Sequence, residues 1–167
     1  MKTIVRFIFT ALFATATSAA LANPVCPGFN DQEDPGHHIF ISPFTHHWTR
    51  DSKHKQVIAA SLTRDLPNDR RCGAALFRNS FGQPSAYVFT GWDLPSLSKV
   101  HDRLYGFVTA GILYGYVGEY KRKVPLNVGG FSPAVVPTLG VRFTQQTSAE
   151  VHVLGTAAVM FGVNTRF

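Results

Sequence analysis

The chain has 167 residues, with 16 Lys and Arg against 10 Asp and Glu for a formal charge of +6, and 13% of its residues are aromatic. So mild a basicity gives no reason to invoke nucleic acid, and it suits contact with anionic lipid headgroups or lipopolysaccharide phosphates. Two cysteines exclude a disulfide scaffold and leave one bridge to form.

The first residues read as an export signal. Lys2 and Arg6 flank the apolar run Phe7 to Leu12, which fades into small residues and ends Ala20-Leu21-Ala22. The run is too short, and too soon interrupted by threonines and serine, for a membrane helix of roughly 20 apolar residues. Pro24-Val25 before Cys26 does not form a lipobox. Residues 1–22 are therefore expected to be removed, which takes away two basic residues and no acid, so +6 becomes +4. Residues 23–37 then form a short periplasmic segment rich in Pro, Gly and acids. Export makes a Cys26–Cys72 bridge chemically available.

From residue 38 onward the chain repeats units of about ten residues, alternating or aromatic-rich and broken by turn chemistry. Eight strands are predicted, at 38–50, 56–66, 72–77, 85–92, 102–114, 133–143, 149–156 and 158–167. Breaks such as Pro67-Asn68-Asp69, Gly82-Gln83-Pro84 and Gln145-Gln146-Thr147 separate them. The last strand is the most diagnostic. Val159, Phe161, Val163 and Phe167 share one face, with Thr165 the single polar exception, while Met160, Gly162, Asn164 and Arg166 share the other. An apolar outside and a polar or small inside, ending on an aromatic, resembles the terminal signal of outer-membrane barrels. About 145 mature residues, roughly 18 per strand with its connection, suit an eight-stranded antiparallel transmembrane β-barrel of the bacterial outer membrane over 38–167. A soluble lipocalin-like barrel is the alternative architecture.

With the N-terminus periplasmic, odd-numbered strands run outward. The first ends near His46-His47-Trp48 and the third at Arg78-Asn79-Ser80, so these groups share the outer rim. They are separated by one strand, near 10 Å at about 4.8 Å per strand spacing. Cys26 and Cys72 fall at the opposite, periplasmic end. A hydroxyl becomes a nucleophile or acceptor when an imidazole takes its proton and a third group orients that imidazole. Ser80, His46 or His47, and Asn79 have the chemistry for such an arrangement.

Around these residues the chain resembles the outer-membrane lipid A palmitoyltransferase family. The family has Phe-Lys-Asp-Ser-Trp followed after a fixed interval by Gly-Trp. Here Phe77-Arg78-Asn79-Ser80-Phe81 precedes Gly91-Trp92 at that interval. The family's Pro-x-x-Thr-Trp-His is matched by Pro43-Phe44-Thr45-His46-His47, one residue shorter after the proline. Gly106-Phe107-Val108-Thr109-Ala110-Gly111 is similar to its Gly-Phe-Thr-Ala-Gly strand, and Val124-Pro125 and Val136-Pro137 match its later prolines. The resemblance implies His47 and Ser80 as catalytic residues, with Asn79 where the family keeps an aspartate. It implies Gly91, beside Trp92, at the floor of an interior acyl pocket, a role that fits the volume a strand glycine leaves open. Pro137, which removes a ladder donor, is expected to loosen the wall where a lipid is admitted.

The function so implied moves a palmitoyl or similar chain from a phospholipid donor to a lipid A or lipopolysaccharide acceptor in the outer membrane. It needs no metal and no cofactor, involves no nucleic acid, and is expected of a monomer. Two other readings compete. One is a lipid hydrolase or deacylase using the same Ser and His, and the other is a structural barrel with no chemistry.

Overall fold

The computed structural model describes residue 26, residues 36–49 and residues 53–167. The chain divides into two compact units, Met1–Glu33 and Asp34–Phe167, and the second holds the barrel. The expected signal peptide and most of the 23–37 segment lie outside the described residues.

Eight antiparallel strands close into a barrel in sequence order. They are β1 (His37–His47), β2 (Ile58–Leu66), β3 (Arg70–Arg78), β4 (Pro84–Asp93), β5 (Leu104–Tyr114), β6 (Phe131–Arg142), β7 (Thr147–Leu154) and β8 (Ala158–Arg166). All eight predicted strands are present. The largest boundary error is at β1, which stops at His47 rather than residue 50. Two short 3-10 turns, Pro95–Lys99 and Gly118–Lys123, lie in the connections.

Polarity is distributed inside out. Ile58, Leu76, Val88 and Val135 are each 59–69% exposed on the outer wall, whereas Ser42, Thr109, Glu150 and Asn164 are buried within. A closed barrel satisfies every strand edge, and an apolar outer wall around a polar interior is stable only in hydrocarbon. The chain is therefore a transmembrane β-barrel of the bacterial outer membrane. Its long connections, 48–57 and 115–130, lie at one end and the 37 and 167 ends of the barrel at the other. Long loops mark the extracellular mouth and short turns the periplasmic side.

Three local features position the site. First, β1 carries a bulge against β8. Ile41 faces Val163 but Phe44 faces Phe161, so β1 spends an extra residue, and the Ser42 hydroxyl donates to the Phe44 and Phe161 carbonyls beside it. Second, two ladders stop short in the outer half. β6 pairs with β7 only from Thr138 to Arg142, and β1 pairs with β2 only from His37 to Ser42. Third, the periplasmic half is plugged by charge. The Arg71 guanidinium donates to Asp93 at 2.7 Å and lies 3.9 Å above the Phe107 ring. Asp65 holds His38 at 2.9 Å, and Glu150 joins Tyr105 and His152 at 2.7 and 2.8 Å. Buried charges are tolerated when so paired.

Cys26 and Cys72 are both disulfide-bonded, so the one bridge open to the chain is made.

Candidate functional site

The bulge decides which histidine turns inward. Below it, His38, Phe40 and Ser42 face the interior at a period of two. The extra residue shifts the phase, so Thr45 and His47 face inward above it and His46 turns out, edge-on to Trp48 at 5.7 Å. His47 lines the central cavity and His46 does not. Of the two histidines, His47 is the one that faces the cavity.

His54, from the β1–β2 connection, packs tilted beside His47 with ring centroids 4.5 Å apart and meets the Phe81 ring at 5.4 Å. Phe81 in turn stacks on Tyr120 at 4.3 Å and touches Tyr116 edge-on. Ser80 is buried at the same mouth, and its hydroxyl is hydrogen-bonded to the Tyr116 phenol. Burial pushes the Tyr116 phenol above its ordinary value of 10, with the Ser80 bond pulling the other way. Tyr116 itself sits at a positive φ of 56°, uncommon for a residue of its size. His47 and Ser80 thus line one cavity, but Ser80 bonds Tyr116 here and His47 packs against His54.

Asn79 has a different place from the one expected. Its Oδ1 accepts from the Phe81 and Gln83 amides, both at 3.0 Å, while its Nδ2 donates to Ser85 and Gln83. A side-chain amide has two donors and two acceptor positions, and all four are used. Asn79 locks the turn that presents Ser80 and has nothing left to orient an imidazole.

The cavity has a volume of about 460 Å³ and descends from this mouth. Its shaft is lined by Phe40, Val57, Phe77, Leu113, Leu154 and Met160, and its lower end meets Arg71, Glu150 and His152. That size and apolar character fall within the range of small-ligand and lipid sites. The cavity also breaches the wall. Pro133, Ala134, Val135 and Val136 all line it, and successive strand residues point to opposite faces, so the space reaches around β6 where no β7 partner covers it.

Pro137 stands at this breach, one residue beyond the last β6–β7 pair, Thr138 with His152. Gly91 and Trp92 are corrections. Gly91 faces inward but does not line the cavity. A Cβ there would lie 2.9 Å from Thr109 and 3.0 Å from the Arg71 side chain, so its space seats Arg71 rather than an acyl chain. Trp92 is 46% exposed on the outer wall near the periplasmic end, away from any interior ligand. With Gly91 facing inward, the period of two along β4 turns Trp92 outward.

His54 and Tyr116 were missed from the sequence. His54 was legible only as one of seven histidines in a connection of unknown path, and nothing in local spacing ties Tyr116 to Ser80.

No protein-family model and no curated protein matches the chain. Among solved structures, the chain is similar to a de novo designed transmembrane β-barrel, with a TM-score of 0.57 and 12% identity over 82% of this chain and 99% of that one. A weaker likeness is to the outer membrane protein Ail of Yersinia pestis in a phospholipid bilayer nanodisc, with a TM-score of 0.46 and 12% identity over 80% and 100%. Identities this low speak to fold alone.

Proposed function

We propose that the barrel is a lipid acyltransferase that takes an acyl chain from a phospholipid and passes it to a lipid A hydroxyl. The observation that carries this reading is the apolar shaft that begins beneath His47 and Ser80 and opens sideways through the wall at β6. A soluble substrate would need no lateral opening. A lipid already in the membrane slides its chain through the gap beside Pro137 and leaves its ester at the mouth.

There His47 takes the proton of the acceptor hydroxyl as that oxygen attacks the ester carbonyl. The Ser80 and Tyr116 hydroxyls are hydrogen-bond donors for the oxyanion that develops. Collapse breaks the donor ester bond, and the proton returns to the departing lysophospholipid oxygen. One ester is broken, one is formed, and no cofactor is consumed. The second gap, between β1 and β2, lies beside His47 and gives the acceptor a path to it.

The test is lipid A mass spectrometry on cells with the protein, without it, and with Ser80→Ala or His47→Asn. The reading requires an added acyl mass that both variants lose. Loss of an acyl mass instead would indicate a deacylase. One observation favours a barrel that binds lipid without chemistry: Ser80 bonds Tyr116 rather than His47. A lipid A profile indifferent to the protein would establish that second reading.

A further inference from the structure

Two cavities meet end to end inside the barrel. The shaft descends from the outer mouth, and a second space of about 150 Å³ lies at the periplasmic end. His38, Arg71 and Asn164 line both, so one layer of side chains divides a common bore in two. That layer is ionic, although a shaft built only to hold an alkyl chain would end best on an apolar floor. Ionisable groups inside a membrane protein are costly, and they mark ion paths.

Arg71 closes the layer by a route that its ladder does not require. On β3 it stands directly across from Asp65 of β2 on one side and from Gly91 of β4 on the other. It leans away from Asp65. The missing side chain at Gly91 makes the room, since a Cβ there would stand 3.0 Å from the Arg71 Cγ. The guanidinium passes over Gly91, donates to Asp93 at 2.7 Å and covers the Phe107 ring of β5, so it reaches across the lumen. Asp65, the direct neighbour, is left with its Oδ1 3.8 Å from the Arg71 Nη2 and with no hydrogen-bond partner for that oxygen among the described residues. Two carboxylates thus flank one guanidinium, one bonded to it and one with an unused acceptor. The Asp65 and Asp93 side chains are 32% and 34% exposed, so water reaches the layer from the periplasmic side.

We infer that Arg71 is the latch of a cation-conducting bore, shut while it bonds Asp93 and open when it swings to Asp65. The swing needs only side-chain torsions, since Arg71 keeps its place in the ladder. It exchanges one charge-assisted pair for another of the same kind, which poises two states close in energy. Withdrawn toward β2, the guanidinium uncovers the space over Gly91 and Phe107 and joins the shaft to the periplasmic cavity. The Asp93 carboxylate then stands bare at the constriction and favours cations over anions. Arg142 and Arg166 line only the space below it. This activity is independent of acyl transfer and asks nothing of His47 or Ser80.

The experiment records single barrels of the full mature chain in planar phosphatidylcholine bilayers under a potassium chloride gradient. The wild type is expected to show brief openings whose reversal potential has the sign of potassium. Asp93→Asn weakens the closed pairing and should raise the open probability about tenfold, whereas Asp65→Asn weakens the open pairing and should lower it about tenfold. Both replacements keep the side chain's size. Opposite signs are the telling result, because loss of a merely structural ion pair would loosen the layer in either variant. Arg71→Ser, which has no latch, should stay open. Heat-modifiable migration checks that each variant is a folded barrel. Changes of the same sign in the two aspartate variants would overturn the latch, as would a current carried by chloride. A silent wild type beside a conducting Arg71→Ser would make the layer a permanent seal and refute the gate. Silence in all four proteins would refute the bore itself.

Discussion

Replacing Ala75 with Phe should shorten the acyl chain the protein accepts. Ala75 lines the shaft between Ser61 and Tyr87, its ladder partners on β2 and β4. One inward layer below, the Phe89 ring fills the space beside Gly73, 2.8 Å from where a Cβ would stand, so the shaft narrows there. A ring at position 75 raises that floor by one layer, two residues along the strand. At about 3.3 Å per residue and a strand tilt near 40°, the rise is about 5 Å. A zig-zag chain with bonds of about 1.5 Å spends that length on roughly four methylenes. At about 0.8 kcal/mol per buried methylene, a chain four carbons too long loses about 3 kcal/mol, roughly two orders of magnitude. The assay gives purified protein equal amounts of phosphatidylcholines with 12- and 16-carbon chains and reads the acylated lipid A by mass. The variant should move preference from the longer to the shorter donor by about a hundredfold. A folded variant, migrating as heat-modifiable barrel, with an unchanged chain-length profile would refute occupation of the shaft by the acyl chain.

Other outcomes follow from the same geometry. Ser80→Ala and His47→Asn should each lower transfer by roughly 10²–10⁴ while leaving lipid binding intact, as measured by single-turnover transfer and by Trp48 fluorescence. Asn79→Ala leaves the buried Phe81 amide without its acceptor and should cost about 1–3 kcal/mol of unfolding free energy in urea; a neutral result would contradict the turn-locking role. Tyr116, raised above 10 by burial, should stay protonated in the folded barrel while the unfolded chain ionises. Its contribution to stability is then full below pH 10 and falls as pH rises above it, which denaturant titrations with Tyr116→Phe as control would detect. Reducing the disulfide of Cys26 and Cys72 frees a loop of about 45 residues and should destabilise the chain by about 4 kcal/mol on the chain-entropy account, visible as a lower urea midpoint.

The barrel was legible because its solvent reverses the usual rule. Alternation such as Val159 to Phe167 needs only period two to declare an apolar outside, and turn residues punctuate every strand. The site was legible in part. Strand parity and rim-sharing were enough to bring His47 and Ser80 to one mouth. What failed depended on contacts between distant strands. That Arg71 occupies the volume beside Gly91 follows from a β3–β4 register that no local pattern reveals. Asn79 reads as an orienting group from its neighbour Ser80, yet the turn it closes consumes all its hydrogen bonds. Trp92 was the avoidable error, since its own neighbour's inward orientation sends it outward.

The single surplus residue in β1 near Pro43 acts as a parity bit for everything above it. Deleting it would remove the bulge and restore plain alternation, with Ser42, Thr45 and His47 still inward and Phe44 and His46 still outward. Pairing all the residues without a bulge would instead send Thr45 and His47 into the lipid and bring Phe44 and His46 inside. The upper half of β1 should therefore accept loss of this one residue and resist loss of a second. In such a strand the identity of the inward imidazole is a matter of counting before it is a matter of chemistry.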